Sequence, residues 1–432
     1  VPLKNIPLMD WVNLRAQYGS TYSWSAAALN VDTLGNVIQN TLNYQINGDL
    51  NFETLYNQWG YLKKINEGGS TTSPARGPKP TKSAVTNPID SSKVATRGAK
   101  AKKKEKKKEE YVPSLLEKIV IRPLMTIRKA RLVYDEKFNS VVPGFKPTNT
   151  ILGMQDFNAP GVGYVVGKQP DYAWLKNAGN NDWITRSVYL NQPVLTNHVQ
   201  SISGTLNLEP FRDFKVDVEI KQDFAQNKTQ FYKCDCSGEF QKNERTQREV
   251  GSYSISYMSI RTMFKDGNND LIGLFNQFEK NRLVISNRLA GPGAAAHEID
   301  LGYKEGYGRS QLNVLIPSFL SAYAGKDPNT FQTNVFKMMP IPNWRLNYNG
   351  LSRLPMFKDI LQSFQLTHSY KSTMTVASFA SDLLYDPIQP TKINTITGSY
   401  YARFTIPNVV VNEQFAPLIG VDMRLKNDMS FK

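Results

Sequence analysis

Long stretches of alternation between apolar and polar residues constrain this fold more than any other feature of the sequence. They run through 42–53, 214–221 and 421–432. Further copies lie at 12–26, 202–208, 253–257, 344–348, 364–376 and 400–406. Since successive side chains of a strand point to opposite faces, each copy predicts a β-strand with one apolar and one polar face. The longest copies reach the ~9 to 11 residues with which a tilted strand crosses a bilayer, whereas strands usually have about five or six.

The two series of side chains are expected to meet different surroundings. The series expected to face lipid consists of Leu42, Tyr44, Ile46, Phe214, Val216, Val218, Ile220, Val421, Met423 and Leu425. The series expected to face an aqueous lumen consists of Asn43, Gln45, Asn47, Asp49, Lys215, Asp217, Glu219, Lys221, Asp422, Arg424 and Lys426. A soluble β-sandwich uses the same alternation with its apolar face turned inward, so the pattern alone leaves both architectures open.

An aromatic cluster favours the membrane architecture. Tyr56, Trp59 and Tyr61 are predicted to close the strand over 42–53, just before two lysines. Amphipathic rings followed by cations are typical of a membrane interface.

The connections between predicted strands are of two kinds. Residues 208–214 join two alternating strands through a proline turn, and 351–360 resemble them. Both are expected to be periplasmic turns on the same side. The long connections at 142–184 and 227–250 are expected to be extracellular loops.

The region between these turns carries a parity constraint. If the strand from Phe214 leaves the turn side and the strand at Trp344 returns to it, the number of crossings between them is even. Residues 253–264 are therefore predicted either to pair with another strand or not to cross. The near-helical spacing of apolar residues over 271–289 predicts a helical insert.

The net charge of +15 comes in large part from a lysine-rich tract at 100–110. Such runs are typically solvated, so 67–110 is expected to be a disordered insert, and nucleic-acid binding is not indicated. The insert follows a strand that is predicted to end on the turn side, which would place it in the periplasm. No apolar stretch approaches the ~20 residues of a membrane helix. The start of the sequence has no secretory h-region, which leaves a cytosolic chain or a processed or excised piece.

No constellation of residues predicts a catalytic, cofactor or metal site, so no enzymatic activity is expected. Cys234 and Cys236 are the only cysteines, and the three histidines lack the spacing of zinc motifs. Three histidines outside any motif also supply no positioned base for a nucleophile. The glycines of 161–167 do not have dinucleotide-binding spacing.

These patterns predict an all-β chain, an antiparallel transmembrane β-barrel segment with long extracellular loops and small helical inserts. The predicted divisions are barrel strands at 1–66, the lysine-rich insert at 67–110, barrel strands with loops at 111–250, a strand with a mixed helical region at 251–342, and barrel strands at 343–432, which are expected to be cut in mid-strand.

Several segments resemble the SprA/Sov family, the outer-membrane translocons of the type IX secretion system in Bacteroidetes. The resemblance is carried by 342–357 (PNWRLNYNGLSRLPMF) and 363–373 (SFQLTHSYKST), and extends to 34–41 with 52–66, 121–124 with 142–145, 157–167, 315–319 with 325–328, and 408–425. It implies a portion of a much larger single-chain barrel in the Gram-negative outer membrane, which conducts folded proteins through an aqueous lumen.

The resemblance also implies a set of partners. These are outer-membrane lipid, cargo proteins with a C-terminal sorting domain, a PorV-like shuttle barrel, a periplasmic plug protein and, indirectly, an inner-membrane complex that supplies energy. Two alternatives stay open, a smaller outer-membrane uptake barrel and a soluble adhesin-like β-sandwich. Unpaired edges at both ends of the sheet would favour a portion of something larger.

Overall fold

The structure is a computed structural model and describes residues 9–29, 32–67, 114, 117, 121–234, 240–260, 268–297, 301–389, 391–396 and 398–432. The predicted lysine-rich insert, apart from residue 67, lies outside these residues, as does Cys236.

The described part of the chain is mostly β. Its strands are β1 (Val12–Ser25), β2 (Asn36–Asn51), β3 (Ile127–Phe145), β4 (Val194–Phe211), β5 (Phe214–Gln230), β6 (Tyr232–Cys234), β7 (Phe240–Lys242), β8 (Arg248–Ser256), β9 (Asn343–Tyr348), β10 (Leu361–Ser381), β11 (Phe404–Thr405), β12 (Val410–Phe415), β13 (Gly420–Leu425) and β14 (Ser430–Phe431). Its α-helices are α1 (Phe52–Asn57), α2 (Gly60–Glu67), α3 (Val162–Val165), α4 (Tyr172–Asn180), α5 (Asn268–Ala290) and α6 (Leu312–Ala324).

Twelve of the described strands form one antiparallel sheet. β1 to β5 pair in sequence order, β8 and β9 both lie between β5 and β10, and β11, β12 and β13 pair with the other side of β10. The remaining two, β6 and β7, pair with each other in a separate hairpin. The coarse expectation of a mainly β chain with one antiparallel sheet is confirmed. The described part also contains six α-helices, so it is mostly β and not all-β.

One strand position of the sheet is filled by two separate segments. β8 pairs with the part of β5 from Gln222 to Thr229, and β9 pairs with the part from Phe214 to Glu219. The backbone N–H of Ile341 donates to the carbonyl of Ser256 at 3.0 Å, which joins the two half-strands across the gap. The predicted pairing of 253–264 with another strand is found for residues 253–256, because β8 pairs with β5 and with β10. β9 occupies the remaining part of the same strand position.

The connections from β4 to β5 and from β9 to β10 meet at one end of the strands, here called the turn end. The predicted turn at 208–214 joins β4 to β5, with Phe211 opposite Phe214. The connection between β9 and β10 touches it, because the N–H of Asn349 donates to the carbonyl of Asp213 at 3.0 Å and Arg353 forms an ion pair with Asp213 at 2.9 Å. The prediction that these two connections share a side of the sheet is confirmed.

Three long connections lie at the opposite end of the strands, here called the loop end. They comprise 146–193, 231–247 and 382–403. Arg245 and Asp386 form an ion pair between the last two at 3.1 Å. The backbone N–H of Ile388, together with Arg245, holds the pKa of the Asp386 carboxyl below its usual range.

Two insertions bury apolar residues against the sheet near its loop end. Segment 146–193 packs on the sheet in one cluster, whose buried members are Ile38, Val142, Phe145, Ala159, Tyr164, Leu175, Ala178, Ile184, Val194 and Phe240. Segment 257–342 contributes residues of α6 and of 331–338 to the other, which includes Tyr253, Ile255, Leu320, Val335, Met374, Val376 and Phe379. The predicted helix at 271–289 is confirmed as α5.

Two local predictions are wrong. Tyr56, Trp59 and Tyr61 do not close a strand, because β2 ends at Asn51, whose side chain accepts from the N–H of Thr54 and caps α1. The last alternating segment is also not one strand. The N–H of Leu425 donates to the carbonyl of Met429 at 2.8 Å, so the chain reverses between β13 and β14.

The segment at 400–406 is a strand only at Phe404–Thr405. Among the described residues, no helix combines the length and the apolar character needed to span a membrane.

Candidate functional site: the two faces of the sheet

The strand register brings the predicted polar residues together on one surface, here called the polar face. Paired residues of an antiparallel ladder point to the same side of the sheet. Asp49 is opposite Arg131, Arg131 opposite Thr205, and Thr205 opposite Glu219. The same rule links the later strands, through Lys215 opposite Asn347, Asn347 opposite Thr367, and Thr367 opposite Gly420, two residues before Asp422. The polar face therefore holds Asn43, Gln45, Asn47, Asp49, Lys215, Asp217, Glu219, Lys221, Asp422 and Arg424.

Lys426 is the exception among the predicted lumen residues. It lies beyond the end of β13, and its N–H donates to the carbonyl of Ile360 at 3.0 Å. It belongs to the turn end of the sheet, so its assignment to a strand face is wrong.

Charges of both signs alternate on the polar face. Arg131 and Asp49 form an ion pair at 3.5 Å with side chains 62% and 49% exposed. Lys221 and Asp223 form another at 3.0 Å. Exposed pairs of this kind contribute only about 0 to 1 kcal/mol to stability. Their consequence is a hydrated surface of mixed charge, which offers no single-signed patch to hold a charged macromolecule.

The opposite surface, here called the apolar face, exposes large apolar side chains in its half nearer the turn end. Leu14, Tyr18, Ile46 and Leu132 are 47%, 56%, 41% and 51% exposed. The rings of Tyr18 and Tyr44 lie 5.4 Å apart across β1 and β2. Extended apolar patches of this kind mark a surface that another apolar phase or partner covers.

The rest of the predicted apolar series lies on the same face of β5 and β13. Val218 lies opposite Leu206 on one side and opposite Trp344 on the other. Val421 lies opposite Leu366. The remaining members occupy the same face of these two strands, namely Phe214, Val216, Ile220, Met423 and Leu425.

One member of the predicted lipid-facing series is covered by protein. Leu42 is only 5% exposed, because segment 146–193 folds over this part of β2. The backbone of Gly167 approaches so closely that a Cβ there would lie 3.1 Å from Leu42 Cδ1. The expectation that Leu42 faces lipid is therefore wrong, while its neighbour Ile46 stays exposed.

A polar cluster that sequence reasoning missed ends the apolar band on β3 and β4. Glu136 Oε1 lies 2.9 Å from His198 Nε2, and the Tyr134 hydroxyl donates to Glu136 Oε2 at 2.7 Å. Gln200 donates to the Tyr134 hydroxyl at 3.1 Å, and the His198 ring stacks on Phe138 with centroids 4.3 Å apart. The available signal was the loss of alternation after Tyr134, where the carboxylate of Glu136 occupies an apolar position of the strand.

The sheet is open in the described part of the chain. β1 lies at one side and β13 with β14 at the other, and these outermost strands do not pair with each other. β1 has fourteen residues and pairs along its whole length with β2 only. Each outermost strand thus presents unpaired backbone groups, which favour pairing with further strands.

Comparison with known proteins gives no family for this chain. The sequence matches no protein-family model, and the curated proteins contain no match to it. Within the described residues, no group of three or more His, Cys, Asp or Glu side chains is placed to hold a metal ion.

Proposed function

We propose that this chain forms part of the wall of a giant outer-membrane β-barrel, which conducts folded cargo proteins across the outer membrane in type IX secretion. The apolar face then borders lipid and the polar face borders the aqueous lumen. The chain does no chemistry in this role, since the wall itself is the functional part. The assignment to type IX secretion rests on the resemblance of the segments around 342–373 to SprA/Sov translocons, and the fold is compatible with it.

One observation supports the membrane orientation above all others. A single sheet of long strands carries a mainly polar face and, on its reverse, an exposed apolar band, with Ile46 and Leu132 41% and 51% exposed. In water, such a band would expose apolar area that costs about 25 cal/mol per Å². Acyl chains remove this cost. A soluble adhesin-like sandwich is less well supported, because the side chains that a second sheet would cover are exposed.

The connections and the outermost strands support a large barrel over a small one. The connections at 212–213 and 349–360 lie at the turn end, and three long segments, 146–193, 231–247 and 382–403, lie at the loop end, which is compatible with outer-membrane barrels that have short periplasmic turns and long extracellular loops. A smaller uptake barrel would close by pairing β1 with the last strands, and these stay apart in the described residues. In this proposal the insert at 67–110 belongs to the periplasm, since β2 and β3 meet it at the turn end.

The partners of the proposed wall are those that the resemblance to SprA/Sov translocons implies. A conduit of this kind depends on an inner-membrane complex for energy and on a periplasmic plug to stay sealed. It takes cargo with a C-terminal sorting domain from a PorV-like shuttle barrel. The mixed charge of the polar face suits passage of many cargo surfaces, because no strong single-signed field retains one of them.

The test uses single cysteines on neighbouring residues of β5. Cys234 and Cys236 are first replaced by serine, and then Glu219→Cys or Val218→Cys is introduced into the full-length protein in cells. A hydrophilic, bulky maleimide is expected to label Glu219→Cys and to reduce secretion of cargo, because the label projects into the lumen. Val218→Cys, one residue away, is expected to react only with a lipid-soluble maleimide.

Two results would overturn the proposal. Hydrophilic labelling of Val218→Cys as rapid as that of Glu219→Cys would argue against the orientation of the faces. Full secretion of cargo after complete labelling of Glu219→Cys would argue against a conducting lumen.

A further inference from the structure

Segment 146–193 contains a preformed cleft at the loop end of the sheet. Its volume is about 920 Å³, within the range of sites that enclose small ligands. Aromatic and amide side chains dominate its lining, which includes Phe157, Asn158, Tyr164, Trp174, Asn177 and Trp183. Nothing in the wall function described above uses this cleft.

The two ends of α4 position the two tryptophans of the cleft. At the start of the helix, the Asp171 side chain accepts from the N–H of Trp174 at 2.7 Å, which is an N-cap. At its end, Asp182 adopts a left-handed conformation with φ +61°, and the N–H of Trp183 donates to the carbonyl of Ala178 at 2.8 Å. This is a Schellman cap, so both indoles are fixed by the backbone of one short helix.

The aromatic part of the lining is packed and stays in place without a ligand. Tyr164 stacks on Trp174 with ring centroids 5.0 Å apart, and Trp183 meets Trp174 edge-on at 6.3 Å. The Trp174 indole N–H donates to the carbonyl of Pro160 at 3.2 Å. Phe157 at the rim is 63% exposed, so its ring is accessible to a ligand in the cleft.

The polar part of the lining is rich in amides and balanced in charge. Asn158 and Asn177 are exposed, and Lys146 forms an ion pair with Asp182 beside the cleft. The lining contains no arginine, and one of its two lysines is neutralised in this pair. A phosphate or another strong anion would find little to hold it, whereas a neutral ligand with many hydroxyl groups would find donors and acceptors together.

We propose that this cleft is a saccharide-binding site, which accommodates hexose units of an oligosaccharide. A pyranose ring has an apolar face of C–H groups, which carry slight positive charge and pack on the negative face of an aromatic ring. Its equatorial hydroxyls each donate and accept, which matches the side-chain amides of Asn158 and Asn177. Phe157 supplies the exposed ring face, and the tryptophans form the floor. The proposal is independent of the secretion role, because it uses residues of one loop segment only.

The experiment measures binding to the purified full chain in detergent, by calorimetry and by indole fluorescence. The probes are diacetylchitobiose, mannobiose, lactose and maltotriose, delipidated polysaccharide from a Gram-negative outer membrane, and a proline-rich peptide. At least one saccharide probe is expected to bind and to change the fluorescence. Tighter binding of the polysaccharide would indicate a cell-surface glycan as the ligand, and tighter binding of the free oligosaccharides would indicate a soluble one.

Two exposed positions test the location of the site. Phe157→Ala and Asn158→Ala are each expected to weaken saccharide affinity by about tenfold, the effect of losing about 1.4 kcal/mol of contact. Tyr189→Ala is the matched control, since Tyr189 is 80% exposed in the same segment and lies outside the cleft. The Tyr189→Ala protein should bind the saccharide with the same affinity as the unmodified protein.

Three results would overturn the proposal. They are binding of none of the saccharide probes, equal affinities of the Phe157→Ala and Tyr189→Ala proteins, and tighter binding of the proline-rich peptide than of any saccharide. A protein that still binds saccharide but no longer secretes cargo would count against the secretion proposal and not against the saccharide site. A protein that secretes cargo but binds no saccharide probe would count against the saccharide site alone.

Discussion

Replacing Val218 by lysine tests the orientation of the sheet most directly. Val218 is four residues from Phe214, the first residue of β5. At about 3.4 Å per residue and a tilt of about 45°, it lies roughly 10 Å above the turn end, near the middle of an apolar band about 25 Å tall. A lysine at this depth costs about 2 to 4 kcal/mol, which lowers the assembly equilibrium by roughly 30-fold to 1,000-fold.

The matched control is Glu219→Lys, one residue further along the same strand. Glu219 is exposed on the polar face, opposite Thr205 and Asn343. Its replacement removes no ion pair seen among the described residues and is expected to change stability by less than about 0.5 kcal/mol. Both changes introduce a lysine, so the two variants differ mainly in the face of the sheet to which that side chain points.

The assay is urea unfolding of the membrane-assembled full-length protein, followed by tryptophan fluorescence. A shift of the midpoint for Val218→Lys at unchanged slope measures the loss of stability. The amount of protein that resists extraction from the outer membrane gives the same comparison in cells. Equal shifts for the two variants would refute the assignment of lipid and lumen to the two faces.

Three further predictions concern packing and protonation. Gly251→Ala should lower the free energy of unfolding by about 1 to 3 kcal/mol, because its Cβ would lie 2.1 Å from the carbonyl oxygen of Ala225. Gly19→Ala, whose Cβ would have no atom within 4 Å, should be neutral or slightly stabilising. Equal unfolding midpoints of the two variants would contradict this prediction. Asp213→Val should lower the free energy of unfolding by about 1 to 2 kcal/mol more than Asp213→Asn, since φ is +67° at the hairpin turn. Denaturant titration measures both variants, and an Asp213→Val protein as stable as the Asp213→Asn protein would contradict this prediction. Burial raises the pKa of Tyr164 above its ordinary value of 10.0, so the stabilising contribution of this neutral phenol is complete below that pH and is lost as the pH rises further. Tyr164→Phe should therefore flatten the decline of the melting temperature above about pH 10. An unchanged decline would disprove the role of this phenol.

Local pattern predicted many of the strands and the partition of their side chains, although β3 is not among the alternating segments. In β5, Lys215, Asp217 and Glu219 fall on one face and Val216 and Val218 on the other, as alternation requires. The hairpin at 208–214 and the helix at 271–289 were also predicted, because each depends on residues close together in sequence. These features need no knowledge of distant contacts.

The failures arise where distant segments meet. The half-strands β8 and β9 are separated by residues 257–342, so no local pattern reveals that they share one position beside β5. Tyr56, Trp59 and Tyr61 do not continue the alternation of β2. The cap at Asn51 starts α1, so Tyr56 and Tyr61 lie in α1 and α2 and Trp59 lies between the two helices. Lys426 continues the alternation of β13, yet the contact with Ile360 places it at the turn end.

The sequence alone determined which side of its strand each residue occupies, because side-chain direction follows from backbone geometry two residues at a time. Only the tertiary structure decided what lies against each side. Leu42 and Ile46 have the same direction on β2, but segment 146–193 buries the first and leaves the second exposed. Contacts of this kind depend on the path of residues more than a hundred positions away, which an alternating pattern does not encode.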